Sequence, residues 1–524
     1  MSEHKALFKS AGVLSFFTVI SRITGFLRDV LMANVFGTGV AAQAFFVAFK
    51  IPNMLRDVIG EGAGNAAFVP VFCEYLAHRS KEDFLKLVNS LFIFVVSISA
   101  GIVVLGILFA SPLIRMIAPG FIGDSAKFHL TVDLTRLLFP YLVLISVSAY
   151  LMSISNALKS FAVPALSSTV FNLFLIVAIF FIGKTSVDEP VIFLGFAVLL
   201  AGVTQVLVQG PSLLRQGVDF RSAGLYAHPF RNESIRKVGR LIVPRVVGSS
   251  IYQLNIFIDT IFASFSYFVG DGAIAAIYYA NRIIQLPFSV IGVALSNAAL
   301  PTLSAHASRQ DMDKFKATLN FSLKAVFLCM VPLMSAILVF AAPLVRAVFE
   351  RGRFDASSSA LTSEAVFFYA WGLIGYVGVR FLSLGFYALQ DTLTPVKTSS
   401  LALAMNVFLN VLFIFVFHLR LAGLALASSI SATVNFIILY HLMKRRTGFK
   451  FNADFGGLMM KAALASGITV VACWAAGHRI FGGVSSLASL AGLLCMGTFI
   501  YFGLLWAGQV AELKELVRWL RKKI

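Results

Sequence analysis

The chain has 524 residues, of which 59% are hydrophobic and only 13% charged, and its formal net charge is +19. The charged share is about half that of a soluble domain, and the longest polar stretch, Arg215 to Arg240, is only loop-sized, so no soluble domain fits. The positive charge does not indicate a nucleic-acid binder, because it forms no compact basic domain and no aromatic RNA-binding motif accompanies it.

Apolar runs recur from end to end. At ~20 residues per span they predict an all-α polytopic membrane protein with about 14 transmembrane helices. Their centres fall near Phe17, Phe46, Val95, Val143, Phe174, Leu199, Ile251, Val290, Met330, Gly372, Val407, Ser431, Val470 and Leu494. The first run is too long, too charged and too poor in cleavage-site character to read as a cleaved signal peptide. The second and eighth are interrupted by charge and by Pro52 and Pro287. Broken spans in corresponding places of two halves mark the binding site of many transporters.

Alternate loops, starting from the N-terminus, collect about 25 Lys and Arg against roughly 8 in the others, which predicts cytoplasmic termini. The strongest clusters are Arg231/Arg236/Lys237/Arg240, Lys444/Arg445/Arg446 and Arg518/Arg521/Lys522/Lys523; Arg346, Arg351 and Arg353 are the main exception. The C-terminal ELKELVRWLRKK has the pattern of an amphipathic helix on the inner leaflet. Cys73, Cys329, Cys473 and Cys495 are far apart, in or beside apolar segments, and read as small buried hydrophobes rather than as a disulfide or zinc framework.

The sequence repeats internally. Val58-Ile59-Gly60 followed by Asn65-Ala66-Ala67 matches Val290-Ile291-Gly292 followed by Asn297-Ala298-Ala299, and the same shift places Lys50 on Arg282. Ala157-Leu158 with Pro164 matches Ala388-Leu389 with Pro395. Each half then holds six spans, and an even number preserves orientation, so the pseudo-symmetry axis runs along the membrane normal. The expected organisation is an N-terminal six-helix lobe (1–216), a cytoplasmic linker (217–237), a C-terminal six-helix lobe (238–446), and two additional helices with a cytoplasmic tail (447–524).

Four basic residues lie in the first two spans: Arg22, Arg28, Lys50 and Arg56. Each costs roughly 2.5–3.5 kcal/mol at the centre of a spanning helix on the insertion scale, so they are expected to face a wet interior and meet an anion. Arg22 and Arg28 are six apart, about 9 Å along a helix, and line different depths; Lys50 and Arg56 repeat that spacing, and Arg282 joins from the second half. Guanidinium groups grip phosphate oxygens through two bonds and stay charged when buried, so a pyrophosphate suits the set. The competing reading is that some snorkel to an interface or pair with Asp29, Asp57 or Glu61 as charge partners. Arg136, Lys324 and Arg380 read as interfacial and receive no role.

Asp259 is an acid in an apolar span, Asn406 and Asn410 share one helix face, and Ser428, Ser429 and Ser431 follow on the next span. These oxygens suit a small hard cation such as Na⁺, while ordinary interhelical hydrogen bonding explains the same pattern. GEGAG lacks the Lys-Ser/Thr of a P-loop, so the glycines near Gly60 serve packing or bending. No HExxH, GxSxG or extramembrane acid pair suggests an enzyme, and no other cofactor is implied.

The segment SRITGFLRDVLMANVFGTGVAAQAFFVAFKIPNMLRDVIGEGAGNAAFVPVF closely resembles the MurJ (MviN) family of bacterial lipid II flippases, which share a superfamily with MATE exporters and polysaccharide flippases. YYANRIIQLPFSVIGVALSNAALPTLS and GFYALQDTLTPVK also look like that family, and the similarity covers nearly the whole chain. The resemblance implies 14 helices, with two six-helix lobes around a central cationic cavity and two final helices whose groove, here near Met459–Trp506, takes a lipid tail. It also implies flipping of undecaprenyl-pyrophosphate-linked disaccharide-pentapeptide, lipid II, across the cytoplasmic membrane for peptidoglycan synthesis. The expected setting is the inner membrane, with membrane lipids and cell-wall synthesis proteins as candidate partners. The family's cavity arginines match Arg22, Arg28, Arg56 and Arg282, and a sodium site of some members matches Asp259, Asn406, Asn410 and Ser428. This chain departs at Gln43, where many relatives carry Asp, at Asn281 and Gln285, where some carry acids, and at Asn410, which replaces an Asp.

Three rivals make different demands. A cation-coupled drug exporter needs acids rather than arginines in the N-terminal lobe. A flippase for another polyprenyl-linked glycan shares the pyrophosphate and is set aside only by the family match. A membrane glycosyltransferase needs carboxylates near an interface and a substantial loop domain.

Overall fold

The computed structural model describes residues 3–56, 65–185, 189–220, 224, 233–479, 486–510 and 512–513, with side chains described except at 3–16, 18, 55–56, 65–66, 233–234, 241–252, 290, 293–294 and 297. Most of the 217–237 linker, Arg231, and the basic tail from residue 514 lie outside the described residues. Among the described residues the chain is helical, with no strand. It forms two compact units, Met1–Phe265 and Ser266–Ile524.

The first unit contains α1 (Glu3–Phe36), α2 (Val40–Arg56), α3 (Asn65–His78), α4 (Lys81–Leu108), α5 (Ala110–Ile117), a tight turn at Pro119–Gly123, α6 (Ser125–Leu138), α7 (Tyr141–Ala157), α8 (Ala162–Lys184), α9 (Pro190–Arg215) and α10 (Glu233–Ala263). The second contains α11 (Ser266–Val269), α12 (Ala273–Pro287), a π-helical turn at Phe288–Gly292, α13 (Val293–Ser308), α14 (Met312–Phe349), α15 (Ala356–Ala370), α16 (Leu373–Ala388), α17 (Leu393–Val411), a second π-helical turn at Leu412–Val416, α18 (Arg420–Thr447), α19 (Phe455–Arg479) and α20 (Leu487–Ala507).

Among the described residues, nine helices are long and apolar enough to cross a membrane, or ten when α15 and α16, bent by 47° at their junction, form one span. The four remaining passages are α1, α2 with α3, α10, and α12 with α13. They carry Arg22 and Arg28, Lys50 and Arg56, Asp259, and Arg282 respectively. With these, the described helices accord with the about fourteen spans that the sequence predicts.

The internal repeat recurs in the packing. In the first unit α2 lies on α6, α3 and α4 on α7, and α7 on α9; in the second α12 lies on α15, α13 and α14 on α16, and α16 on α18. It recurs in the backbone as well. Lys159 and Gln390 occupy equivalent positions and both take left-handed conformations, at φ 60° and 58°. Each follows a helix whose C-terminal carbonyls are closed by the same pair of bonds, Lys159 N to Asn156 O with Ser160 N to Ser155 O, and Gln390 N to Tyr387 O with Asp391 N to Phe386 O. This is the Schellman closure, which removes orphan carbonyls at a helix end.

Small residues set how closely the second unit packs. A Cβ on Gly372, which caps α16, or on Gly375 or Gly378 within it would fall within 3 Å of Ser429, Thr433 or Phe436 of α18, respectively. A stripe of this kind lets two membrane helices approach by van der Waals contact, where lipid gives no hydrophobic drive. The two final helices attach to α14 through a core of Leu328, Leu458, Ala462, Ala465, Tyr501 and Leu505. Lys324, read from the sequence as interfacial, is buried at 6% side-chain exposure and bonds Glu512 at 2.8 Å and Asp454 at 3.2 Å.

Candidate anion-binding site

Among the described side chains, Arg28, Lys50, Arg282 and Arg380 each bond a specific neighbour. In the first unit α1 packs along α8. Gly25 faces Asn172 there, and a Cβ would stand in ordinary contact, 3.4 Å from Asn172 Nδ2. Asn172 donates through Nδ2 to Ser21 O at 3.1 Å and accepts at Oδ1 from Arg28 Nη1 at 3.1 Å. The other edge of the guanidinium donates to Asp29 Oδ1, from Nε at 3.0 Å and Nη2 at 2.7 Å. Side-chain exposure is 13% for Arg28 and 2% for Asp29. A charge withdrawn from water this far needs both a counter-charge and directed hydrogen bonds; Asp29 supplies the first and Asn172 fixes the orientation. Arg22, six residues earlier on the same helix, is exposed.

Lys50 of α2 turns toward α10. Its ammonium donates to Thr260 Oγ1 and, at 3.4 Å, to Ile256 O. Asp259 lies on the same stretch of α10 and exerts an electrostatic pull on Lys50. The side chain of Arg56, and Asp57 and Glu61 altogether, lie outside the described residues. Gln43, at the position where many relatives carry Asp, accepts from the buried ammonium of Lys127 at 3.0 Å, and that ammonium sits 4.4 Å from the Phe121 ring centroid.

In the second unit Arg282 donates from Nη2 to its own helix's Tyr278 hydroxyl at 2.8 Å and lies 4.8 Å from that ring's centroid. Arg380, to which the sequence assigns no role, is half-buried in α16 and donates from Nε to Ser296 Oγ at 2.9 Å. The structure thus brings Arg28 to Asp29 and Lys50 to α10 within the first unit, and assigns Arg282 to the second.

Asn406, Asn410 and Ser428 adjoin one another in the second unit: Asn406 Nδ2 donates to Ser428 Oγ at 3.2 Å, and Asn410 Nδ2 donates to Asn406 Oδ1 at 3.0 Å. Asp259 lies in α10 of the first unit. The oxygens are of the type that hard cations take, but two of them accept amide hydrogens here, so a cation would need those amides to turn. No group of three or more His, Cys, Asp or Glu residues with metal-holding geometry occurs among the described residues.

Asn172, Thr260 and Ser296 were not singled out in the sequence. Asn172 carries a signal, as a lone amide in the apolar run FNLFL; Thr260 and Ser296 carry none, because a helical hydroxyl can bond its own i−4 carbonyl, as both do here.

The family model for "Lipid II flippase MurJ" matches residues 32–498. The chain belongs to that family. It is 33% identical over 411 residues to the probable lipid II flippase MurJ of Buchnera aphidicola subsp. Schizaphis graminum, with 78% of each chain covered. It is 34% identical over 408 residues to the lipid II flippase MurJ of Burkholderia cenocepacia, again with 78% of each covered. Among solved structures it is similar to lipid II flippase MurJ in an inward closed conformation, at TM-score 0.77 and 24% identity over 94% of this chain and 97% of that one. It is also similar to an inward-facing MATE family transporter of the MOP superfamily, at TM-score 0.71 and 15% identity over 84% of this chain and 98% of that one. These two likenesses show the fold: a multi-pass helical membrane protein of the kind the sequence predicts.

Proposed function

We propose that this chain moves lipid II, the undecaprenyl-pyrophosphate-linked peptidoglycan precursor, from the inner to the outer leaflet of the bacterial cytoplasmic membrane by alternating access, with both termini cytoplasmic. Family membership supports the substrate. The observation that carries the mechanism is Arg28, a guanidinium kept in an apolar helix and fixed by Asn172 and Asp29. An arginine so oriented offers planar, permanently charged recognition of phosphate oxygens.

Arg22, Arg28, Arg56 and Arg282 are the proposed N–H donors that replace hydration around the headgroup's pyrophosphate, and Asp29 moderates the charge on Arg28 when no substrate is bound. A ligand shifts a conformational equilibrium only by its differential affinity for the two states, so the substrate must bind the closed state more tightly than the open one. A potential negative inside favours outward movement of an anionic headgroup by about 2.3 kcal/mol per charge per 100 mV. No chemical step is assigned to the chain. Sodium, with Asn406, Asn410 and Ser428 as oxygen donors and Asp259 as the carboxylate that the resemblance assigns to it, is a proposed coupling ion. The α19–α20 region is the proposed seat of the lipid tail, and cell-wall synthesis proteins are proposed partners.

The test is reconstitution. Vesicles carrying the purified chain should expose labelled lipid II to an external probe faster when a diffusion potential is imposed in the favourable sense. Transfer no faster than in protein-free vesicles would overturn the reading.

A further inference from the structure

The helix that carries Arg282 is broken beyond it. Pro287 has no N–H to donate, and the chain widens into the π-helical turn Phe288–Gly292 before α13 resumes. Single π turns within α-helices are frequent at functional sites. Here the break has a second arginine fixed against it. Ser296, one turn into α13, donates from Oγ to Gly292 O, the last residue of the π turn, and accepts at Oγ from Arg380 Nε at 2.9 Å. The guanidinium carbon of Arg380 lies 5.8 Å from the centroid of the Phe288 ring, at the start of the same turn. One side chain of α16 therefore reads both ends of the break in its neighbour.

Snorkelling does not explain this arrangement. Arg380 is eight residues from the end of α16, about 12 Å along the axis, and its Nε points to Ser296 rather than along the helix. The break explains it better. Arg282 precedes Phe288 by six residues, about 9 Å along the helix, and is oriented by Tyr278. The two guanidiniums therefore address successive depths of one interrupted helix, each fixed by a hydroxyl that leaves the charge intact. Both are half-buried, which keeps them within reach of a ligand.

We infer that Arg380 is a second anion-binding residue of the C-terminal unit, taking phosphate oxygens of the headgroup at a depth nearer the cytoplasm than Arg282. The inference rests on the flippase reading and on cytoplasmic termini, which put the end of α16 on the inner side. Arg380 then meets the pyrophosphate on loading and Arg282 meets it later. Ser296 is a positioning residue.

The experiment is equilibrium binding to the purified full-length chain of two probes, lipid II and undecaprenyl pyrophosphate, with melting temperature recorded for every variant. Arg380→Ala should weaken both probes about tenfold, the effect of losing a charge-assisted hydrogen bond. Arg380→Lys, which keeps charge but not the planar fork, should weaken both about threefold and decides the matter if the alanine variant does not fold. Ser296→Ala should weaken both by a smaller factor than Arg380→Ala. Loss confined to lipid II would overturn the assignment to phosphate and move Arg380 to the peptide carboxylates. Affinities of both Arg380 variants within twofold of wild type, with Arg28→Ala binding poorly, would overturn the inference and leave the flippase reading standing. Failure of the wild type to bind either probe would overturn both.

Discussion

The ammonium of Lys50 on α2 is bonded to the hydroxyl of Thr260 on α10, 210 residues away. The sequence repeat assigns α10 to the second half, yet it belongs to the compact first unit, and Lys50 is part of the reason. The helix is held at three heights: Lys237 to Glu74 at 2.6 Å, Lys50 to Ile256 and Thr260, and Ser264 Oγ accepting from Gly120 N at 3.0 Å. Only the middle tie is an ion withdrawn from water. Lys50→Met should raise amide hydrogen exchange across residues 253–263, whereas Lys237→Ala, which removes a half-exposed surface pair worth about 0–1 kcal/mol, should leave it nearly unchanged. Equal exchange in both variants would refute the role of Lys50.

Arg28 needs orientation as well as charge. Asn172→Ala removes the bond to Nη1 but leaves Asp29 in place. Lipid transfer should fall about tenfold, corresponding to one hydrogen bond to a charged group, with little change in melting temperature. Arg28→Lys should transfer poorly despite retaining its charge, because an ammonium lacks the fork. Normal transfer by Arg28→Lys would show that charge alone suffices.

Lys324 ties α14 to the segments flanking the last two helices. Its two acids differ: Glu512 is 15% exposed and Asp454 is 72% exposed. Removing the lysine strands a sheltered carboxylate, so Lys324→Met should cost about 3 kcal/mol. Asp454→Asn should cost less than about 1 kcal/mol. Thermal melts of the two variants check the order, and equal losses would contradict it.

Asp391, in the loop between α16 and α17, supplies a pH test. Burial raises its pKa, but the backbone N–H and hydroxyl of Thr394 at 2.9 and 2.8 Å and the Arg446 guanidinium outweigh burial and hold the carboxyl below its ordinary value. A depressed folded pKa gives stability that is present above the unfolded value, about 3.9, and lost as pH falls through the folded one. The melting temperature of Asp391→Asn should therefore lie below wild type by a constant gap down to about pH 5, and the gap should close at lower pH. A gap that widens in acid would refute the sign.

Hydropathy counted the helices because a spanning helix needs a long apolar run whatever its partners, and the repeat was visible in two short motifs because each half solves the same packing problem. The intramembrane arginines were equally plain, since so costly a charge stands out against Phe, Val and Ile. The destination of each charge was not legible. Lys50 is the repeat-equivalent of Arg282, yet one bonds a distant helix and the other its own Tyr278. The pairing of Lys324 was hidden because its acids are 130 and 188 residues away. That of Arg380 was hidden because the serine that orients it is one of many hydroxyls in apolar helices. Residue type and local period set the helices, whereas long-range pairing set the chemistry.

The central claim is that this chain flips lipid II through basic residues held in its apolar helices. The most direct measurement is growth of a bacterial host depleted of its own lipid II flippase and supplied with this chain or with Arg28→Ala at equal membrane levels. The account predicts rescue by the wild type and none by the variant. Rescue by both would contradict the role of Arg28, and failure of the wild type to restore growth, together with no lipid II transfer in vesicles, would contradict the function itself.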